Sequence, residues 1–161
     1  MVYTKCGDRG RSSVINRTDI EKDNCIFTLL GDIDELGANL GVCKCYQSVG
    51  ISSKINALQQ ELILLSAWIA GGSEFDAKGH TANYEVVIDS LECAVKMPDS
   101  IVTCGETKHS AYIDLCRTVV RRCERSAVTF CREYSFDCSL MTYFNRLSDY
   151  LFVLARYSEQ F

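Results

Sequence analysis

The run Arg117-Thr118-Val119-Val120-Arg121-Arg122-Cys123-Glu124-Arg125 concentrates cations on one side of a helix. With Arg117 at zero and about 100° per residue, Arg121 falls at about 40°, Glu124 at about −20° and Arg125 at about 80°. Arg122 points well away from them. Three like charges on one face repel. On a bare surface they are a solvated stripe; an anionic ligand or a partner carboxylate would relieve the repulsion. On a second helix Asn145, Asp149 and Arg156 lie within about 40° of one another, opposite a Leu stripe. Asp32, Asp34 and Glu35 follow Gly31, and acidic side chains in a first helical turn complement the macrodipole. The amino-terminal stretch Thr4-Lys5-Cys6-Gly7-Asp8-Arg9-Gly10-Arg11-Ser12-Ser13 combines two Gly, three cations and hydroxyls. Such a loop can wrap phosphates with backbone amides and neutralise them with Lys and Arg. The GxxxxGK[ST] spacing of a P-loop is absent. The chemistry these groups share is the holding of a polyanion, and no Ser-His or Cys-His nucleophilic pair is evident.

The cysteines compete for the same attention. There are ten, at 6, 25, 43, 45, 93, 104, 116, 123, 131 and 138, with two histidines, His80 and His109, far from any Cys pair. No CxxC occurs, so zinc-finger spacings are missing and no metal site is expected. A disulfide framework suits small exported chains, whereas this one is long enough to bury a core. Cys116, Cys123, Cys131 and Cys138 return to roughly one helix face, which reads as reduced, buried, small side chains.

The elements that must position these groups are helical. A first amphipathic stretch runs from about Phe27 to Tyr46, with Ile33, Leu36 and Leu40 apolar and Gly37 and Gly41 one turn apart, permitting a close helix approach. A second starts near Ser52 or Ser53, carries Ile55, Leu58, Leu62, Leu65 and Ile69 at three-four spacing, and ends at Gly71-Gly72. A third spans about Thr81 to Met97, stopped by Pro98. After a loop over 98–109, a fourth covers about Ser110 to Glu133 and a fifth about Ser139 to Ser158. Residues 1–25 read as polar and irregular, with Val2-Tyr3 and Val14-Ile15 able to form at most a small hairpin. The expectation is an all-α, five-helix up-down bundle in one domain, residues 1–161, with an irregular phosphate-binding segment over 1–25 and the bundle over 27–160.

Composition agrees with an ordinary globule. The 161 residues are 47% apolar and 24% charged, with a single Pro, which rules out a Pro-rich linker or disordered tail. Seventeen Lys and Arg against 21 Asp and Glu leave a net charge of −4, and the pI is near 5.2. There is no basic excess for general nucleic-acid binding. No apolar run is long enough to cross a bilayer, and the amino terminus lacks the apolar region of a secretory signal. A cytoplasmic location is expected.

Taken in order, the motifs resemble those of the PduO-type ATP:cob(I)alamin adenosyltransferases. The family opening Tyr-Thr-Lys-x-Gly-Asp-x-Gly is similar to Tyr3-Thr4-Lys5-Cys6-Gly7-Asp8-Arg9-Gly10. Gly31-Asp32-Ile33-Asp34-Glu35-Leu36 resembles its Gly-x-x-Asp-Glu-Leu. Cys116 to Arg125 resembles its Ala-Arg-Thr-x-x-Arg-Arg-Ala-Glu-Arg, and Asn145 to Asp149 its Asn-Arg-Leu-Ser-Asp, continued by Ala155-Arg156-Tyr157. The resemblance spans nearly the whole chain. It implies a homotrimer with active sites between subunits and three ligands: ATP, Mg²⁺ and a corrinoid, cobalamin. In the reaction it implies, Co(I) attacks the 5′ carbon of ATP and triphosphate leaves. Asp34, Arg117, Arg121 and Glu124 form the implied catalytic set, with Asp34 pairing with Arg117 across the interface. Thr4, Lys5, Gly7, Asp8, Arg9, Ser12, Arg121, Glu124, Arg125, Asn145 and Asp149 are the implied ligand-binding residues, and Ile101 would stand against the corrinoid. The chain departs from the family at Ile101 for Phe, Cys104 for Pro, Glu106 for Gly, Asp114 for His and Gly37 for Asn. These departures fall mostly on the corrinoid side. They leave a second reading, a non-catalytic nucleotide-binding or protein-interaction module on the same fold.

Overall fold

The computed structural model describes residue 3, residue 5 and residues 7–161. Thr4, Cys6 and Val2 lie outside the described residues. A two-stranded antiparallel hairpin, β1 (Arg11–Val14) and β2 (Arg17–Glu21), precedes five helices: α1 (Cys25–Lys44), α2 (Val49–Ile69), α3 (Ala77–Ala94), α4 (Lys108–Tyr134) and α5 (Ser139–Gln160). Packing runs α2–α1–α4–α5–α3, so α4 and α5 are central.

Local chemistry sets the boundaries. The Asn24 side chain accepts from Ile26 N at 3.0 Å and starts α1 two residues before the expected position. Asp76 caps α3 through Gly79 N at 2.9 Å, so that helix begins at Ala77 rather than Thr81 and stops at Ala94, before Pro98 is reached. Neither Ser52 nor Ser53 caps α2, which begins at Val49. Ser52 instead donates to Lys44 O at 3.0 Å and ties the α1–α2 turn. Thr107 and Ser110 form a reciprocal capping box on α4. The hairpin also differs from expectation. Val14 is in a strand, but its partner is Arg17 across the two-residue turn Ile15-Asn16. A single apolar residue, Ile20, in Arg17–Glu21 is too little to signal that strand.

The expected stripes are the core. Ile55, Leu58, Leu62, Leu65 and Ile69 of α2 are buried, as are Leu140, Phe144, Leu147, Leu151 and Leu154 of α5. Of the two glycines expected to let helices approach, only Gly41 faces α2 closely; a Cβ on Gly37 would meet nothing within 4 Å. Gln59 Nε2 donates to Gly37 O at 2.9 Å, and a Cβ on Gly41 would stand 3.4 Å from the same nitrogen. A polar group sits inside this core. Glu61 Oε1 accepts from Tyr84 OH and Tyr143 OH, both at 2.7 Å, and Glu61 Oε2 meets His80 Nδ1 at 3.0 Å.

Among the described residues all cysteines are free. Cys43, Cys116, Cys123 and Cys131 are buried, as packed small side chains should be. Cys138 is not part of that row: α4 ends at Tyr134 and Cys138 is exposed just before α5. Burial, then the nearby Asp32 charge, pushes the Cys123 thiol up to about 12. An unfolded thiol loses its proton above about 8.5. Between those limits the unfolded chain binds fewer protons than the folded one, so stability falls as pH rises. Thermal melts from pH 8 to 10 should show a declining melting temperature, with a shallower decline in Cys123→Ala.

Candidate active site

The cationic face of α4 divides on inspection. Arg117 Nε pairs with Asp114 Oδ1 at 3.0 Å. Arg121 is exposed and, among the described residues, is held only through its own carbonyl, which accepts from Arg125 Nη1 at 2.9 Å. Arg125 is exposed too. Arg122 takes the opposite direction, as the helical wheel requires, and reaches α1. It lies 2.5 Å from Glu35 Oε1 and 3.6 Å from Asp32 Oδ1. Asp32 Oδ2 also accepts from Ser126 OH at 2.5 Å. Because α1 begins at Cys25, Asp32 and Glu35 are not in its first turn. Their role is to bind α4, which replaces the capping explanation.

Helix α5 supplies the second wall. Asn145 Nδ2 donates to Glu124 Oε1 at 3.2 Å, joining the two helices at the site. Asp149 Oδ2 pairs with Arg146 Nη1 at 2.6 Å, and Arg146 Nε reaches Glu85 of α3 at 3.0 Å. Arg156 leaves the polar face that its wheel position gave it. It is only 3% exposed and pairs with Asp114 Oδ2 at 2.7 Å and Glu159 Oε1 at 2.8 Å. The wheel was misleading there because α5 is covered on both sides, by α4 and α3.

The amino-terminal segment is ordered by the hairpin. Lys22 N donates to Gly10 O at 2.8 Å, and Asp8 N to Lys5 O at 3.3 Å. Gly10 has φ 76 and Lys5 φ 62, both in the left-handed region, where glycine pays no Cβ penalty. A Cβ on Gly7 would come within 2.9 Å of Lys22 Nζ, so this glycine lets a cation close over the loop. Lys22 is a functional candidate that sequence reasoning missed. Arg11 is tied to Asp19 and Glu21, whereas Lys5 and Arg9 are exposed. Ser12 is half-buried in β1 opposite Ile20. The loop's three expected cations thus become Lys5, Arg9 and Lys22.

These two assemblies do not meet within one chain. Among the described residues no hydrogen bond or ion pair joins residues 3–12 to Arg121, Glu124 or Asn145. Asp34 is exposed on α1, beside the outward-facing Ile63 of α2, and takes no partner among the described residues. A cavity of about 510 Å³ opens between the start of α1 and α4, with Asn24, Thr28, Arg125 and Ser126 on its walls. A second, of about 500 Å³, lies between α3 and α5, lined by the apolar Ile88, Met97, Phe152 and Val153 and by the charged Glu85, Asp89, Glu92, Arg146 and Asp149. Ile101 is 100% exposed on the loop before α4.

A family profile described as cobalamin adenosyltransferase matches residues 2–158. The chain belongs to the cobalamin adenosyltransferases. The corrinoid adenosyltransferase PduO of Salmonella typhimurium is 31% identical over 163 residues, covering 96% of this chain and 48% of that protein. This chain therefore spans about half the length of that relative. A corrinoid adenosyltransferase of Citrobacter freundii is 31% identical over 170 residues, covering 98% of this chain and 94% of its own. A solved variant PduO-type ATP:corrinoid adenosyltransferase from Lactobacillus reuteri, complexed with cobalamin and ATP, superposes with a TM-score of 0.93. It shares 28% identity over 99% of this chain and 91% of its own. In this cobalamin adenosyltransferase the bundle is thus the family fold, and Glu124 with Asn145 and the Lys22-covered loop are its two open polar assemblies.

Proposed function

We propose that residues 1–161 form one catalytic domain that transfers the 5′-deoxyadenosyl group of ATP to cob(I)alamin. The cobalt(I) electron pair forms the bond to the 5′ carbon while the C5′–O bond breaks, and triphosphate leaves with the electron pair of that broken bond. One observation carries the reading. The chain exposes two cation-bearing halves, Lys5, Arg9 and Lys22 on the hairpin loop and Arg121 and Arg125 on α4, and does not bring them together. A homotrimer that sets the loop of one copy against α4 of the next completes the site. Asp34 and the outward Ile63 would lie in that contact, with Arg117 as the partner of Asp34.

The chemistry asks the protein for charge and position. Triphosphate gains negative charge as it departs, and preorganised cations stabilise it most in the transition state. Lys5, Lys22 and Arg121 would neutralise it, with Gly7 and Asp8 shaping the loop and Arg125 bracing Arg121 through its carbonyl. Asn145 turns its amide nitrogen to Glu124, which leaves its oxygen outward as a hard donor. Mg²⁺ takes few protein oxygens and fills its shell from phosphate and water. Asn145 and Glu124 therefore fit it, and among the described residues no cluster of three metal-ligating side chains exists to hold it otherwise. When bound, Mg²⁺ would neutralise phosphate charge. The free thiols suit a reducing compartment such as the cytoplasm.

Ile101 carries no flat ring, and this feature favours the competing reading of a nucleotide-binding module without turnover. Titration with ATP and then cob(II)alamin separates the two. The enzyme reading expects the spectrum of base-off cobalt only after ATP; ATP binding with no cobalt change favours the module. Lys22→Ala should lower kcat/KM for ATP about tenfold in steady-state assays, the loss of one charge-assisted phosphate contact, with the loss falling mainly on kcat because the contact strengthens as triphosphate departs.

A further inference from the structure

Asp114 and Arg156 form a buried ion pair for which stability alone gives no reason. Asp114 is 2% exposed and Arg156 3%. Burying such a pair costs desolvation that well-packed apolar residues would avoid. Arg156 Nε and Nη1 are also buried without an acceptor. What the pair accomplishes is visible at Arg117. Asp114 has both oxygens committed, Oδ2 to Arg156 Nη2 at 2.7 Å and Oδ1 to Arg117 Nε at 3.0 Å. Arg156 belongs to α5, Asp114 and Arg117 to α4, so the fold of two central helices fixes the carboxylate that fixes the guanidinium. With Nε taken, the plane of Arg117 is set. Among the described residues its terminal nitrogens reach no carboxylate; Nη2 stands 3.7 Å from Cys104 Sγ.

The geometry points to Asp114 as a positioning residue that, anchored by Arg156, holds Arg117 with its terminal nitrogens presented to Asp34 of the partner subunit. This inference rests on the proposed intersubunit site. Without Asp114, Arg117 is a long side chain on a helix surface with many rotamers, and small misplacements near a reacting centre cost about 10²-fold.

The test is a double-mutant cycle on kcat/KM with Asp114→Asn and Arg117→Lys. The expected single-variant loss for Asp114→Asn is about 10- to 100-fold. In the Arg117→Lys background the same change should cost less than about twofold, because both act through one group. Losses that multiply would overturn the inference and leave Asp114 a structural residue. If Asp114→Asn does not fold, Asp114→Glu, which keeps the charge and displaces it by one methylene, takes its place in the cycle. A second readout needs no turnover. The Arg117 Nε–H resonance, assigned by its absence in Arg117→Lys, should be protected from exchange in the parent and lose protection in the Asp114 variant. Rapid exchange in the parent would overturn the inference as well. A parent without turnover whose Arg117 signal is nevertheless protected would refute the proposed function and leave the positioning intact.

Discussion

Arg121→Ala should lower kcat/KM for adenosylcobalamin formation by about 10²- to 10³-fold, the range found when one preorganised donor to a developing charge is removed. The same variant should melt within about 2 °C of the parent. The contrast follows from where the side chain is. Arg121 is exposed, and among the described residues no carboxylate binds it and only its carbonyl is used, by Arg125. Removing the guanidinium should leave the fold as it was and, in the proposed reaction, take a cation from the leaving triphosphate. The neighbouring Arg122 provides the internal control. It is bound to Asp32 and Glu35 of α1, so Arg122→Ala should disturb the α1–α4 contact and leave the chemical step largely intact. Steady-state rates and melting curves on the two variants would check the division.

The largest stability effect is expected at Glu61→Ala. Glu61 Oε1 is the acceptor for two buried hydroxyls, Tyr84 OH and Tyr143 OH. Burial first, and then the charges of Tyr84 and Glu61, hold the Tyr143 hydroxyl well above its ordinary range, so it stays a donor that needs an acceptor. A buried donor left without one costs about 1–3 kcal/mol. Two such donors give a loss of about 2–5 kcal/mol, partly relieved where water enters beside half-exposed His80. Melting temperature should fall by about 5–15 °C. Glu61→Gln keeps a carbonyl oxygen for the tyrosines and should lose markedly less. Equal losses in the two variants would show that the carboxylate charge, through His80, matters more than the hydroxyl bonds.

Much of this architecture was legible in the residues. The α2 and α5 stripes predicted their buried faces because helical periodicity and burial are coupled directly. The motif order predicted the family, and the wheel correctly sent Arg122 away from Arg121. What failed has physical causes. The α1 and α3 starts are set by Asn24 and Asp76, caps whose side chains bond backbone amides that no periodicity marks. The strand Arg17–Glu21 is charged and exposed, so it carries no alternating pattern. Arg156 looked like a polar-face residue because a wheel cannot tell that α5 is packed by both α3 and α4. Lys22 went unnoticed since it lies 15 residues from Gly7 in sequence and meets it only when the hairpin folds. The open halves of the site follow the same logic: under the proposed trimer, a site shared between copies would be incomplete in any one of them.

The most direct measurement is an anaerobic reaction of the assembled protein with ATP, Mg²⁺ and cob(I)alamin, with adenosylcobalamin and triphosphate quantified together. The account predicts the two products in equal amounts, and neither in Arg121→Ala above about one-hundredth of the parent rate. A folded, ATP-binding protein that yields no adenosylcobalamin would contradict it.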